Sequence, residues 1–81
     1  MRYEVKLPDL GDEDDAVRGG TVSMWLAREG AQLNQDDDLL ELTTDKAAFV
    51  VPCPTAGTLT EKHVAEGDEV RVGNVLCVLE T

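Results

Sequence analysis

One amine in this chain is set apart by its surroundings. Lys46 lies in the stretch Leu42-Thr43-Thr44-Asp45-Lys46-Ala47-Ala48. A primary amine on a turn can be acylated, so that a group hangs from the protein by an amide. Its place in the chain supports that use. Gly20-Thr21-Val22 aligns with Gly57-Thr58-Leu59 at an offset of 37 residues (58 − 21). The same offset carries Glu29-Gly30 onto Glu66-Gly67, Leu33 onto Val70 and Leu39 onto Leu76. Lys46 falls on the connection directly after the first copy. A duplicated unit with a lysine on its connection reads as a scaffold that presents one amine, a carrier rather than a catalyst.

The elements that must hold this amine are strands. No window contains an apolar i, i+3, i+4, i+7 stripe long enough to bury a helix. Alternation is better developed: Tyr3, Val5 and Leu7, then Val22, Met24 and Leu26, then Phe49 and Val51 fall two apart, the period of a half-buried strand. Pro8, Gly11, Gly19-Gly20, Gly30, Asp36-Asp37-Asp38, Pro52 to Pro54, Gly57, Gly67 and Gly73-Asn74 separate them. Each copy reads strand, Glu-Gly turn, short strand, tight turn, strand, over residues 21–42 and 58–79, with residues 1–7 adding a strand. Two such units can pack face to face around one core, a small all-β sandwich or flattened barrel.

The alignment makes finer statements. Cys77 matches Leu40, which predicts a buried, inert thiol. Cys53 reads as partly exposed and oxidisable. Asp36 matches Gly73, so a left-handed backbone is expected there, with mild strain for an Asp. Asp45 places a bend before Lys46, and the connection reads as a tight hairpin turn. Residues 11–20 read as an acidic, solvated loop.

Composition limits the partners. The 81 residues suit one domain, 1–81, and 17 acidic against 7 basic residues give a net charge of −10. Neutralising phosphates takes clustered Lys and Arg, so nucleic acid is excluded as a partner, and an anionic membrane surface is disfavoured. Basic protein surfaces are favoured, with electrostatic steering toward them. Two cysteines make no disulfide scaffold, and no metal-ligand spacing or Ser/His/Asp or Cys/His arrangement stands out. No stretch approaches membrane-spanning length, and no apolar signal region opens the chain. A reducing interior, bacterial cytoplasm or mitochondrial matrix, is the expected setting.

With Pro8-Asp9-Leu10-Gly11, Trp25, Glu29-Gly30, Thr44-Asp45-Lys46-Ala47 and Glu66-Gly67-Asp68 in order, the chain resembles a lipoyl domain of the dihydrolipoamide acyltransferase (E2) component of 2-oxo acid dehydrogenase complexes, over about residues 5–80. The resemblance implies a flattened β-barrel or sandwich of two four-stranded antiparallel sheets with quasi-two-fold symmetry. It implies lipoic acid linked by an amide to Lys46, with Asp45, Ala47 and Thr44 forming the surround read by the attachment enzyme, a lipoate ligase or lipoyl transferase. The lipoylated lysine would act as a swinging arm. A thiamin-diphosphate-dependent 2-oxo acid decarboxylase (E1) would load an acyl group on it. The acyltransferase core would pass that group to coenzyme A, and dihydrolipoamide dehydrogenase (E3) would reoxidise the arm. The domain in isolation is expected to be a monomer that makes no bond itself.

Departures from the family pattern fall near the lysine. Thr43 stands where Glu is common, and the segment after Gly11 is longer and more acidic than usual. The resemblance gives that segment a role in partner choice, here through Asp12, Glu13, Asp14 and Asp15. Lys6 and Lys62 lack the Asp-Lys-Ala surround and are expected to stay unmodified. His63 and Trp25 are read as a surface residue and a packing residue. Two other readings share the fold: a biotinyl carrier of a carboxylase, whose lysine is typically flanked by Met, and an unmodified structural hairpin. The glycine-cleavage carrier also bears lipoate, but on a longer chain with a different motif.

Overall fold

A computed structural model describes residues 1–8, 19–45 and 47–81. Eight strands are present among them: β1 (Arg2–Lys6), β2 (Gly19–Trp25), β3 (Gln32–Leu33), β4 (Asp38–Thr43), β5 (Ala48–Pro52), β6 (Gly57–Lys62), β7 (Glu69–Arg71) and β8 (Val75–Glu80). They form two four-stranded antiparallel sheets, ordered β1-β8-β6-β3 and β5-β4-β2-β7. The sheets stack as a sandwich with extents of 35 × 24 × 17 Å, and the predicted fold class holds in its sandwich form.

The internal repeat is written into the hydrogen bonds. Each sheet takes its central hairpin from one copy and a short edge strand from the other: β3 of the first copy pairs with β6, and β7 of the second with β2. The Glu-Gly turns make the same exchange. Gly30 N–H donates to Leu59 O (2.6 Å), and its counterpart Gly67 N–H donates to Val22 O (2.8 Å). Both glycines have positive φ, 89° and 93°, the conformation that makes Glu-Gly a turn signal here. Even the irregularities repeat: bulges fall after Val22 and Leu59, positions 37 apart.

The core follows from this symmetry as two clusters. One holds Val5, Ala27, Leu39, Cys53, Leu59, Cys77 and Leu79. The other holds Leu7, Val22, Leu40, Leu42, Val51, Val70 and Leu76. The bulges in β4 and β8, at Leu39 and Leu76, let adjacent residues both face inward, so Leu39 and Leu40 serve different clusters.

Four expectations need comment. Met24 and Leu26 are exposed, although their spacing from Val22 predicts burial. The bulge at Ser23 inserts a residue and turns them to the other face. Gly19 and Gly20 belong to β2 rather than to a loop, because a Cβ on either would strike backbone: Val70 O for Gly19, and Thr43 O, at 2.8 Å, for Gly20. Cys53 is fully buried, contrary to the exposed reading. Asp36 N–H donates to Cys53 O (2.8 Å) and Cys53 N–H to Asp37 O (2.7 Å), just as Gly73 and Asn74 bond Leu7, so Cys53 occupies the place of a symmetry-related leucine. Asp36 does adopt the left-handed conformation, with φ 72° against 93° for Gly73.

Two predictions follow from the packing. Asp36→Gly should raise stability by up to about 1 kcal/mol and Gly73→Ala should lower it by about 1 kcal/mol in urea unfolding, since only the latter puts a β-carbon on a left-handed backbone. Burial pushes the Cys77 thiol up to about 11, and burial first, then Asp37 and Asp36, raises Cys53. Neither thiol should react with an aromatic disulfide reagent in the folded protein, and both should react in denaturant. The sign of the pH dependence is fixed: Cys77 contributes stability below its ordinary value of 9.0, and that contribution is lost as pH rises from there toward about 11.

Candidate functional site

The β4–β5 connection sits at one pole of the sandwich. Thr43 pairs with Ala48 across it and with Thr21 of β2 on the other side. In a two-residue hairpin the flanking residues usually exchange both backbone bonds. Here Thr44 N–H donates to Ala47 O (2.9 Å), but Ala47 N–H donates to the Thr44 hydroxyl (3.2 Å), which in turn donates to Ala47 O (3.0 Å). Asp45 and Ala47 are exposed and Thr44 is half-buried. Lys46 itself lies outside the described residues, as do Asp12, Glu13, Asp14, Asp15 and Val17. Thr44, Asp45 and Ala47 thus flank the position of Lys46 in the chain, with Thr44 bonded to Ala47 across it.

Two further residues frame this connection. The hydroxyls of Ser23 and Thr43 share a hydrogen bond (2.5 Å) across β2 and β4. Gly20 lies so close that a Cβ there would be 2.8 Å from Thr43 O and 3.1 Å from Thr44 Cγ2. Reading the sequence missed Gly20 as part of the site. Its signal was the match of Gly20 to Gly57 in the repeat, where a β-carbon would likewise meet Glu80 O (3.0 Å) and Thr81 Cγ2 (3.1 Å), but glycines next to an acidic run read more naturally as loop.

The opposite pole repeats the frame without the connection. Thr81, the counterpart of Thr44, donates from N–H (2.8 Å) and from its hydroxyl (3.1 Å) to Met1 O. Met1 occupies the place of Ala47, since Arg2 pairs with Glu80 as Ala48 pairs with Thr43. The spacing of the two chain ends at each pole is therefore set by the sheets, not by the residues that bridge them.

The other singled-out side chains lie away from the lysine pole. Trp25 pairs with Leu40, four residues along β2 from Thr21, or about 13 Å. It is half-buried, with Nε1 donating to Val64 O (2.9 Å). Lys62, its counterpart in the second copy, stands over the indole at 4.8 Å, a cation–π contact. His63 Nε2 meets Glu61 Oε2 at 3.1 Å, and Arg2 reaches the same oxygen at 3.3 Å. His63 and then Arg2 hold the Glu61 carboxyl below the usual range. Among the described residues no group of His, Cys, Asp or Glu is placed to hold a metal. No helix among them is long and apolar enough to cross a membrane.

A family model described as "Biotin-requiring enzyme", the biotin/lipoyl family, matches residues 3–80. The chain belongs to the biotin/lipoyl family. It is similar to the dihydrolipoyllysine-residue acetyltransferase component of the pyruvate dehydrogenase complex of Corynebacterium glutamicum, with 37% identity over 98% of this chain and 11% of that relative. The chain therefore spans about a tenth of the length of this curated relative. Among solved structures it is similar to the lipoyl domain of the 2-oxoglutarate dehydrogenase complex of Azotobacter vinelandii (27% identity, TM-score 0.70, 96% of this chain and 95% of that one). It is also similar to a single-chain, multi-domain long-chain acyl-CoA carboxylase (25% identity, TM-score 0.78, 99% of this chain and 7% of that one). The same fold thus recurs in a lipoyl domain and within a carboxylase.

Proposed function

We propose that this chain is a lipoyl carrier of a 2-oxo acid dehydrogenase complex, with lipoate held by an amide to Lys46. The observation that carries the reading is the β4–β5 connection, closed by Thr44 and Ala47 and flanked by exposed Asp45 and Ala47. Such a site fits a covalently attached arm: the flanks stand in solvent, where an attachment enzyme can reach them and where a tethered group is free to leave the surface. Asp45 and Ala47, rather than two methionines, favour lipoate over biotin. The acyltransferase relative points the same way.

When bound, lipoate supplies a cyclic disulfide that takes up an acyl group together with two electrons. The chain's own contribution is positional. Lys46 provides the amine and loses its charge on amidation, moving the formal net charge from −10 to −11. Thr44 and Ala47 hold the ends of the connection. Tethering raises the effective concentration of the carried group at successive active sites. The partners in this reading are the E1 decarboxylase, the E2 acyltransferase core and E3, with a lipoate ligase for attachment.

Asp12, Glu13, Asp14 and Asp15 complete the proposal as the determinants of partner choice. Supporting this, the acidic run precedes Gly19 and Gly20 closely in the chain, and Gly20 packs directly against Thr43 and Thr44. A run of negative charge can steer encounters with a basic decarboxylase surface.

Intact mass after incubation with lipoate, ATP and a lipoate ligase should show one lipoyl adduct, absent in Lys46→Arg and never on Lys6 or Lys62. A biotin adduct formed in place of the lipoyl one would move the chain to carboxylases, and no adduct from either ligase would make it a structural hairpin. Changing Asp12, Asp14 and Asp15 to Asn and Glu13 to Gln should lower kcat/KM for reductive acylation by the cognate decarboxylase by about tenfold at low salt. Unchanged kinetics would remove the acidic segment from the account.

A further inference from the structure

We propose that Thr44 is a positioning residue for modification and acyl loading: with its methyl seated against Gly20, its hydroxyl fixes the orientation of Ala47, next to Lys46. The inference rests on the carrier reading above and adds a device to it. The two poles of the sandwich provide an internal comparison. At both, a threonine N–H and hydroxyl donate to one carbonyl, Ala47 O or Met1 O. Only at the lysine pole is the bond returned, with Ala47 N–H donating to Thr44 Oγ1. At the other pole the Met1 amine goes instead to Glu80 Oε1 (2.7 Å) and Thr81 O (2.8 Å).

The returned bond changes the mechanics of the connection. A plain hairpin would hold residue 47 by its backbone alone. Here a side chain grips both the N–H and the C=O of Ala47, so the two peptide units that flank the Ala47 α-carbon, the first of them joining Lys46 to Ala47, are each held by one bond to the same hydroxyl. Thr44 can do this only if its own rotamer is fixed. A β-branched side chain is stiff at χ1, and its methyl has the backbone of Gly20 as a neighbour, with room for no β-carbon there. Gly20 thus carries the position of β2 into the rotamer of Thr44, and Thr44 carries it to Ala47. An enzyme that must find one amine on a folded surface gains from a connection that does not sample alternatives, because fewer bound poses are unproductive.

The test uses the whole chain with four measurements: lipoate ligase kcat/KM, reductive acylation kcat/KM, melting temperature and amide exchange at Ala47. Thr44→Val keeps shape and removes the hydroxyl. It should lower ligase kcat/KM by about tenfold and speed Ala47 exchange by about the same factor, the scale of one or two lost hydrogen bonds. Thr44→Ser returns the hydroxyl without the methyl that seats it, and should recover both only in part, to values between Thr44→Val and wild type. Gly20→Ala leaves the hydroxyl in place but displaces its seat, and should lower kcat/KM in the same direction. That variant separates positioning from direct reading of the hydroxyl by the ligase, and it replaces Thr44→Val if the latter does not fold. Thr44→Val or Gly20→Ala with wild-type kcat/KM overturns the inference, as does a loss that merely tracks melting temperature. A wild-type chain that accepts no lipoate overturns the carrier reading and this inference together, whereas one that accepts it while the variants match it overturns this inference alone.

Discussion

Neither copy of the repeat can complete a sheet by itself, and the rest of the structure depends on that constraint. Each Glu-Gly turn donates its glycine N–H to a strand of the other copy, Gly30 to Leu59 O and Gly67 to Val22 O. Each short strand then extends the other copy's hairpin. A chain of 81 residues has little core to spare. Interlocking the copies lets one set of apolar residues stabilise both sheets at once, and it makes the geometry at each pole a property of the whole sandwich.

That geometry explains why a small domain can present one lysine in a defined way. The ends of β4 and β5 are held at a fixed separation by pairings that run the length of the sheet, and the pole where Met1 meets Thr81 reaches the same separation with no bridge at all. Asp45 and Lys46 only span a gap the framework has already set. The residues that decide chemistry can therefore vary without disturbing the fold. This accounts for one sandwich occurring both in the lipoyl domain of a 2-oxoglutarate dehydrogenase complex and in a carboxylase, at similar structural likeness. The fold supplies presentation; the turn supplies identity.

Much of this was legible in the residues because the repeat is strong. The offset that pairs Glu29-Gly30 with Glu66-Gly67 locates both turns. The match of Asp36 to Gly73 forecasts a left-handed aspartate, and the match of Cys77 to Leu40 forecasts a buried thiol; all three hold. The failures share a cause. Met24, Leu26 and Cys53 were misplaced because a bulge, or a second symmetry relation through β1 and β5, changes which face a residue takes. Periodicity of two cannot register an inserted residue. Gly20 is obscured for a different reason: its role is a close approach between backbones, marked in the sequence only by glycine recurring at position 57, where the approach repeats. The motif and the place between the copies single out Lys46, and its neighbours Thr44 and Ala47 close the β4–β5 connection.

The central claim is that the folded framework, more than the local motif, makes Lys46 a substrate for attachment. Its most direct test compares lipoate ligase kcat/KM on the folded domain with that on a linear peptide spanning residues 39–53, which keeps every residue of the motif and none of the sheets. The account predicts that the peptide is modified at least about a hundredfold less efficiently, because the oriented connection exists only in the sandwich. A peptide modified as efficiently as the domain would contradict it and leave the sandwich as no more than a soluble handle.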